Sequence, residues 1–282
     1  MPTPCAQFNS MEDAVKALLV TTVGIVSETQ HKFLVIGGWV PYLRNTSAYR
    51  HPGTRDIDIL FSDAKVSKAL SDVIEKLLSN GFLPSAKHDF QLLLPVKVGT
   101  HELVFNVDLL HPSETIENPE LLVDHFDLGI NDSELNENRA VRSIVLPSSE
   151  LLFRDGFFST YQLEARALNG SLVNSTFSLL TFAGSVISKS ESVSSPKRTR
   201  DAFDIFMAFQ NDPNGEIEFL LRQYTRIDGV RKGVDDLKTF LSKAPEQGSK
   251  YNKFDLNVMK YLRSDCPATL PSQQILGRIN DI

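Results

Sequence analysis

The feature that most constrains the fold is a change in hydrophobic periodicity close to Pro147. Before it, short segments alternate apolar and polar residues with period two, which is the pattern of strands with one covered face. After it, apolar residues recur every three or four positions, which is typical of amphipathic helices. We therefore expect an α/β fold, in which residues 1–147 form a mixed sheet with flanking helices and residues 148–282 form an all-α helical domain.

Buried apolar runs and turns mark the individual elements. Phe33–Ile36 is an apolar run that ends at Gly37 and Gly38, so a buried strand is expected to enter a tight turn there. Asp56–Phe61 alternates, which places Asp56 and Asp58 on one face of a strand. Further strands are predicted at residues 90–96, 102–110 and 141–146. Helices are predicted from residue 11, at 62–80, 149–168, 176–190, 199–210, 216–224, 234–242 and 254–263.

Composition limits the classes of protein that this chain can belong to. No apolar stretch approaches the roughly 20 residues that span a bilayer, and the first residues lack a secretory pattern. Cys5 and Cys266 lie near opposite ends, so neither a disulfide framework nor a four-cysteine zinc site is available. A net charge of -6 argues against a general nucleic-acid coat protein. We expect a cytoplasmic, folded protein without a membrane partner.

Two aspartates one residue apart on a strand suggest a divalent metal site. Asp56 and Asp58 project from the same face, and Mg²⁺ favours one or two carboxylates completed by water and substrate phosphates. Asp108, on the same face as Asn106 of a later strand, adds a third carboxylate if the two strands are adjacent. Taken singly, an Asp-x-Asp pair is usually a solvated strand face and a Gly-Gly pair is usually a turn. Their occurrence in this order favours the metal-site interpretation.

The residues around these aspartates resemble a known superfamily. VIGGWVPYL (residues 35–43) and YRHPGTRDIDILF (residues 49–61) are similar to the signature of the DNA polymerase β-type nucleotidyltransferases. More narrowly, they resemble the abortive-infection (AbiEii-like) toxin nucleotidyltransferases. Asp108 lies where the superfamily places its third carboxylate. Lys189 and the segment RDAFD, which ends at Asp204, fit the lysine and R-D-x-x-D element of the toxin-like group.

The resemblance covers roughly residues 35–209 and implies a function. It implies an enzyme that moves a nucleoside monophosphate from an NTP such as ATP to a hydroxyl of tRNA or protein, as the toxin of a type IV toxin–antitoxin system with an antitoxin protein as partner. The cofactor would be Mg²⁺ or Mn²⁺. The implied roles are metal binding by Asp56, Asp58 and Asp108, phosphate binding by Gly37, Gly38 and Lys189, and a place near the transfer site for Asp204.

Several residues have a second interpretation. Trp39 stands where a small hydroxyl residue often follows the glycine turn, and it either stacks near a base or packs the short helix onto the sheet. Arg50 and Arg55 flank the site and either contact phosphate or are solvated. A serine-rich insertion separates Lys189 from the R-D element. Asp204 either acts as a base or forms an ion pair with a nearby arginine or lysine.

Two other functions compete with the toxin hypothesis. A nucleotidyltransferase that modifies a small molecule, such as an aminoglycoside or a lincosamide, suits the negative charge and the modest size of the chain. A nucleotide-binding sensor without catalysis is the alternative from another class. The retained carboxylates at Asp56, Asp58 and Asp108 argue against the sensor.

Overall fold

The computed structural model describes residues 7–62, 67–85, 88, 91–111, 120–126, 139–146, 149–262 and 267–282. Cys5, Cys266 and the boundary residue Pro147 lie outside these ranges. By residue contacts the chain divides into two units. The first contains residues 1–35, 54–149 and 160–178, and the second contains residues 36–53, 150–159 and 179–282. The boundary predicted at residue 147 remains a prediction.

Strands and helices follow one another in a mixed order along the chain. The elements are α1 (Met11–Ser27), β1 (Phe33–Ile36), α2 (Trp39–Leu43), β2 (Asp56–Phe61), α3 (Ser67–Ser79), β3 (Leu83–Pro84), β4 (Gln91–Val98), β5 (His101–His111), β6 (Glu120–Phe126), β7 (Arg139–Val145), α4 (Ser149–Leu152), β8 (Phe158–Arg166), β9 (Leu172–Leu180), α5 (Phe182–Ser190), α6 (Thr199–Gln210), α7 (Glu216–Tyr224), α8 (Asp228–Leu241), α9 (Lys253–Met259) and α10 (Pro271–Ile279).

The described strands form one mixed sheet. Its order is β3-β4-β5-β2-β1-β9-β8, with β7 paired to β5 and β6 paired to β7. β2 runs parallel to β5, while β4 runs antiparallel to β5 on the other side. This arrangement, followed by the helices after β9, confirms the predicted fold class of a mixed sheet and a C-terminal helical region. The parallel strands β2 and β5 carry the two pairs of polar residues, Asp56 with Asp58 and Asn106 with Asp108.

Local sequence explains why the first helix and the second strand form where they do. Ser10 caps α1, because its hydroxyl accepts a hydrogen bond from the backbone N–H of Asp13 at 3.0 Å. In β2, Ile57 and Ile59 are fully buried, whereas Asp56 and Asp58, which alternate with them, are half-buried. A strand with this alternation has one face in the core and the other accessible.

The region between residues 158 and 180 corrects two predicted helices. Residues 149–168 and 176–190 were expected to be helical, but β8 and β9 form a strand pair, and helix is limited to α4 and α5. The turn contains Asn169 and Gly170, and Gly170 has a φ of +85°, which glycine adopts without strain. An Asn-Gly turn between alternating segments is a strong hairpin signal. Its two-residue period was misinterpreted as helical spacing.

The later helices agree better with the prediction. α6 and α7 have the expected bounds, α8 begins earlier than expected, and α10 was not predicted. Pro271 occupies the start of α10, a position where its missing N–H costs little. Arg278 near the end of α10 pairs with Glu218 and Asp212 and donates to the carbonyl oxygen of Phe209 at 2.8 Å. In the described ranges, no helix combines the length and apolar composition that a membrane span requires.

Candidate functional site

The first candidate site is the carboxylate face, which we define as Asp56, Asp58, Asn106 and Asp108. Parallel pairing of β2 with β5 sets Asp56 opposite Asn106 and Asp58 opposite Asp108. All four residues are half-buried, and the residues that alternate with them are buried on the other face. The sequence predicted that each pair shares a face. The pairing of the two strands brings the two pairs together.

A hydrogen bond links the two strands on this face. The side-chain amide of Asn106 donates to Oδ1 of Asp56, with 3.1 Å between nitrogen and oxygen. A donor held against one carboxylate oxygen limits the rotation of that carboxylate. Asn106 therefore helps to set the direction of Asp56, a role that the sequence had not assigned to it.

The oxygen donors of this face suit a hard divalent cation. Among the residues that the structure describes, no three His, Cys, Asp or Glu side chains form a ready-made metal cluster. Mg²⁺ commonly binds through one or two carboxylates and takes its remaining ligands from water and substrate phosphates. Asp56 and Asp58, with Asp108 opposite, supply such a donor set. The metal assignment itself remains a prediction.

The glycine turn belongs to the second unit and has the conformation that two glycines permit. Gly37 has a φ of +72°, in the left-handed region, and Gly38 is the residue before α2. Trp39 is fully buried, and its ring meets the ring of Tyr42 edge-on at 5.7 Å. This burial supports the interpretation in which Trp39 packs α2. Whether the turn contacts phosphate remains a prediction.

The two arginines near the carboxylate strand are exposed. Arg50 and Arg55 both present their side chains to solvent, and within the described residues neither forms an ion pair. Exposed, flexible guanidinium groups suit both earlier interpretations, solvated cations or contacts to an arriving phosphate. Their predicted role in nucleotide binding is untested.

The second candidate site is the buried cluster, which we define as His51, Lys189, Asp201 and Asp204. Nζ of Lys189 lies 2.9 Å from Oδ1 of Asp201 and 2.7 Å from Oδ2 of Asp204. Nε2 of His51 lies 3.0 Å from Oδ1 of Asp204. Ser192 donates to the other oxygen of Asp201 at 2.7 Å. Each aspartate thus pairs with Lys189 and lies within hydrogen-bond distance of a second side chain.

The ion pairs of the buried cluster keep its acidic and basic groups ionised in spite of their burial. The side chains of Asp204 and His51 are 0% and 1% exposed, and that of Lys189 is 8% exposed. Burial alone would raise the pKa of Asp204, but Lys189, His51 and Arg200 outweigh it and hold the pKa below its usual value. Burial alone would lower the pKa of Lys189, but Asp204 and Asp201 hold it above its usual value. Both groups are therefore charged at neutral pH.

Asp204 forms the ion pair that was one of its two interpretations, and its place near the transfer site stays a prediction. Its carboxylate forms an ion pair with Lys189 and a longer one with Arg200, whose Nε is 3.9 Å away. Lys189, which is predicted to bind a nucleotide phosphate, forms ion pairs with two carboxylates through its amino group. His51 belongs to no motif that the sequence displays. Only its burial and its partners identify it.

Comparisons with known proteins add two distant structural likenesses. The antibiotic-resistance factor ANT(2'')-Ia, known from a solution structure, is 13% identical; the match covers 78% of this chain and 96% of that chain with a TM-score of 0.39. An antigenic nucleotidyltransferase-like protein from Paracoccidioides brasiliensis is 12% identical, with coverages of 80% and 94% and a TM-score of 0.34. No family model and no curated protein matches the sequence.

Proposed function

We propose that this protein is a Mg²⁺-dependent nucleotidyltransferase that moves a nucleoside monophosphate from an NTP to an acceptor hydroxyl. One observation carries the proposal: the parallel register of β2 and β5 sets Asp58 opposite Asp108 and Asp56 opposite Asn106, on a half-buried face. Carboxylates on an accessible sheet face can hold a cation that also binds phosphate oxygens.

The reaction is an in-line displacement at phosphorus. The acceptor oxygen forms a bond to the α-phosphorus of the NTP, and the bond from the α-phosphorus to the oxygen that bridges to the β-phosphorus breaks. Pyrophosphate leaves with that electron pair. The proton of the acceptor hydroxyl passes to a carboxylate or to water. Atoms and charge balance without an oxidant or a further co-reactant.

The residues near the carboxylate face would have separate roles in binding the metal ion and the phosphates. Asp56 and Asp58 would hold Mg²⁺ or Mn²⁺, and Asp108 would complete the ligand set. When bound, the metal ion supplies charge neutralisation for the triphosphate and acidifies the acceptor hydroxyl. Gly37 and Gly38 would offer backbone N–H groups to the phosphates, because neither has a side chain in the way.

The acceptor defines two versions of this function. In the first, the protein is the toxin of a type IV toxin–antitoxin pair, and it modifies tRNA or a protein. In the second, it modifies a small molecule such as an aminoglycoside or a lincosamide. The net charge of -6 favours the second version, because a polyanionic RNA acceptor is repelled at long range.

A label-transfer assay tests the proposal and separates these versions. The purified protein is incubated with each α-³²P-labelled NTP and Mg²⁺ or Mn²⁺, together with total tRNA, lysate protein or an aminoglycoside and lincosamide panel. We expect transfer to one acceptor class. Asp58→Ala should reduce it by about 10³-fold, since losing about 4 kcal/mol of metal-dependent stabilisation has that effect.

Two controls make the assay decisive. Asp236→Ala removes an exposed carboxylate of α8 that pairs with Lys232, and it should transfer label at the wild-type rate. The unfolding midpoint of Asp58→Ala should stay close to that of the wild type, so that lost transfer is not lost folding. Equal transfer by Asp58→Ala and the wild type would refute the mechanism. Growth arrest on expression, abolished by Asp58→Ala, would favour the toxin version.

A further inference from the structure

The loop of residues 44–53, which we call the pinned loop, is fixed to α6 at several points. Asn211, the residue that follows α6, accepts hydrogen bonds through Oδ1 from the backbone N–H groups of Thr46 and Ser47 at 2.6 and 2.8 Å. Further along, the ring of Tyr49 meets the ring of Phe206 edge-on at 5.2 Å. The pinned loop therefore follows α6 from its C-terminal end toward its first turns.

His51 makes the last of these attachments. Its ring lies between Tyr42, 5.9 Å away, and Phe203, 6.1 Å away and stacked. Nδ1 accepts a hydrogen bond from the backbone N–H of Gly53 at 3.1 Å. Nδ1 therefore carries no proton, so Nε2 carries it and donates to Asp204 at 3.0 Å. Both ring nitrogens therefore form hydrogen bonds: Nε2 bonds to Asp204 of the buried cluster, and Nδ1 bonds to the turn after His51.

That turn leads directly into the carboxylate strand. Gly53 has a φ of +90°, and Pro52 before it has a restricted backbone. Thr54 is buried, and its hydroxyl donates to the carbonyl oxygen of Asp56 at 3.3 Å. Asp56 opens β2 three residues after Gly53. The chain from His51 to Asp56 therefore has few free rotations.

We propose that His51 is a positioning residue: in its neutral tautomer it joins the buried cluster to the turn that enters β2. This inference rests on the proposed function. Lys189 then acts on the reaction through Asp204, His51 and the backbone of residues 53–56. Small errors in the placement of a reacting group can lower a rate about 10²-fold, so such a link can matter for catalysis.

Two substitutions of His51 separate its two contacts. His51→Gln keeps an N–H near the position of Nε2, so it can still donate to Asp204, but it offers no acceptor to Gly53. His51→Asn keeps an oxygen near the position of Nδ1 for Gly53, but it does not reach Asp204. Each variant thus keeps one bond as the control for the other, and the ring volume changes in both.

The measurements combine amide exchange, ring nitrogen shifts and kinetics. In the wild type, ¹⁵N shifts should show an unprotonated Nδ1 and a protonated Nε2. In His51→Gln, the Gly53 amide should exchange about 10-fold faster, as expected when a bond worth about 1.4 kcal/mol is lost. We expect kcat for label transfer to fall about 10-fold to 100-fold while KM for the NTP changes little. His51→Asn should keep the Gly53 amide protected and recover part of kcat.

The outcomes distinguish this inference from the proposed function. If the wild type transfers label and His51→Gln has the same kcat, the inference falls and the proposed function stands. The inference also falls if KM and kcat change together with the unfolding midpoint, because His51 is then only part of the core. If the wild type neither transfers label nor binds Mn²⁺, as followed by electron paramagnetic resonance, the proposed function falls and this inference falls with it.

Discussion

The carboxylate face and the buried cluster both contain paired aspartates, yet the fold treats them in opposite ways. Asp56, Asp58 and Asp108 lie half-buried on a strand face. Asp201 and Asp204 lie almost fully buried, with Lys189 between them. The first group is in part exposed to solvent. The second group shares the buried amino group of Lys189.

The degree of burial explains this difference between the two regions. A buried carboxylate without a cationic partner is costly, so the fold must supply one, as Lys189 does here. A carboxylate at an accessible face retains much of its hydration and can keep its charge for a cation from solution. Substitutions that remove a charge from the buried cluster should therefore affect folding first, and substitutions on the carboxylate face should affect activity first.

The largest effect on stability is expected from removal of Lys189. Lys189→Met leaves two buried carboxylates without their shared cation and should lower the free energy of unfolding by about 3–5 kcal/mol. Urea-induced unfolding measures this change in the free energy of unfolding. Lys232→Met is the matched control, because Lys232 pairs with Asp236 at 2.9 Å on an exposed helix face. The control should change stability by about 0–1 kcal/mol. Similar losses in both variants would remove the distinction between the two regions.

A smaller, functional effect is expected from Asn106. Asn106→Ala removes the donor that holds Oδ1 of Asp56, and the apparent affinity for Mg²⁺ in label transfer should fall about 10-fold to 100-fold. Stability should change little, because the side chain is half-buried. Asn174→Ala, at an exposed position of β9, is the control. An unchanged Mg²⁺ dependence in Asn106→Ala would show that this hydrogen bond does not orient Asp56.

The smallest effect is expected from acid. The pKa of Asp204 is lower in the folded protein than in the unfolded chain, so the unfolded chain binds more protons between the two values. The stability that Asp204 contributes is complete above the pKa of an unfolded aspartate, about 3.9, and declines as the pH falls toward the folded value. Unfolding midpoints of the wild type and Asp204→Asn should therefore converge below about pH 4. A constant difference down to pH 2 would contradict this assignment.

Much of the fold could be predicted because its signals are local. The run Phe33–Ile36 and the alternating segment Asp56–Phe61 have the predicted bounds, and so do α6 and α7. The hairpin around Asn169 and Gly170 was also marked in the sequence, by alternation and a turn pair, but its period was assigned to helices. The alternation and the turn pair both indicate a hairpin, and the helical prediction took a two-residue period for a helical one.

The partners of His51 could not be predicted from the sequence. Asp204 lies 153 positions after His51, and no motif relates the two. The same holds for Asn106, whose partner Asp56 lies 50 positions away. Contacts of this kind depend on which helix packs against which loop, or which strand pairs with which. Periodicity within a segment carries no such information.

Sequence alone places Asp56 and Asp58 on one face of a strand and Asn106 and Asp108 on one face of another, with a glycine turn before them. These placements follow from the two-residue period of a strand and from backbone sterics. Only the tertiary structure shows that the two strands pair in parallel, which sets Asp58 opposite Asp108. It also decided that Lys189 is enclosed with Asp201 and Asp204, because the desolvation of a charge is settled by neighbours that are distant in the chain.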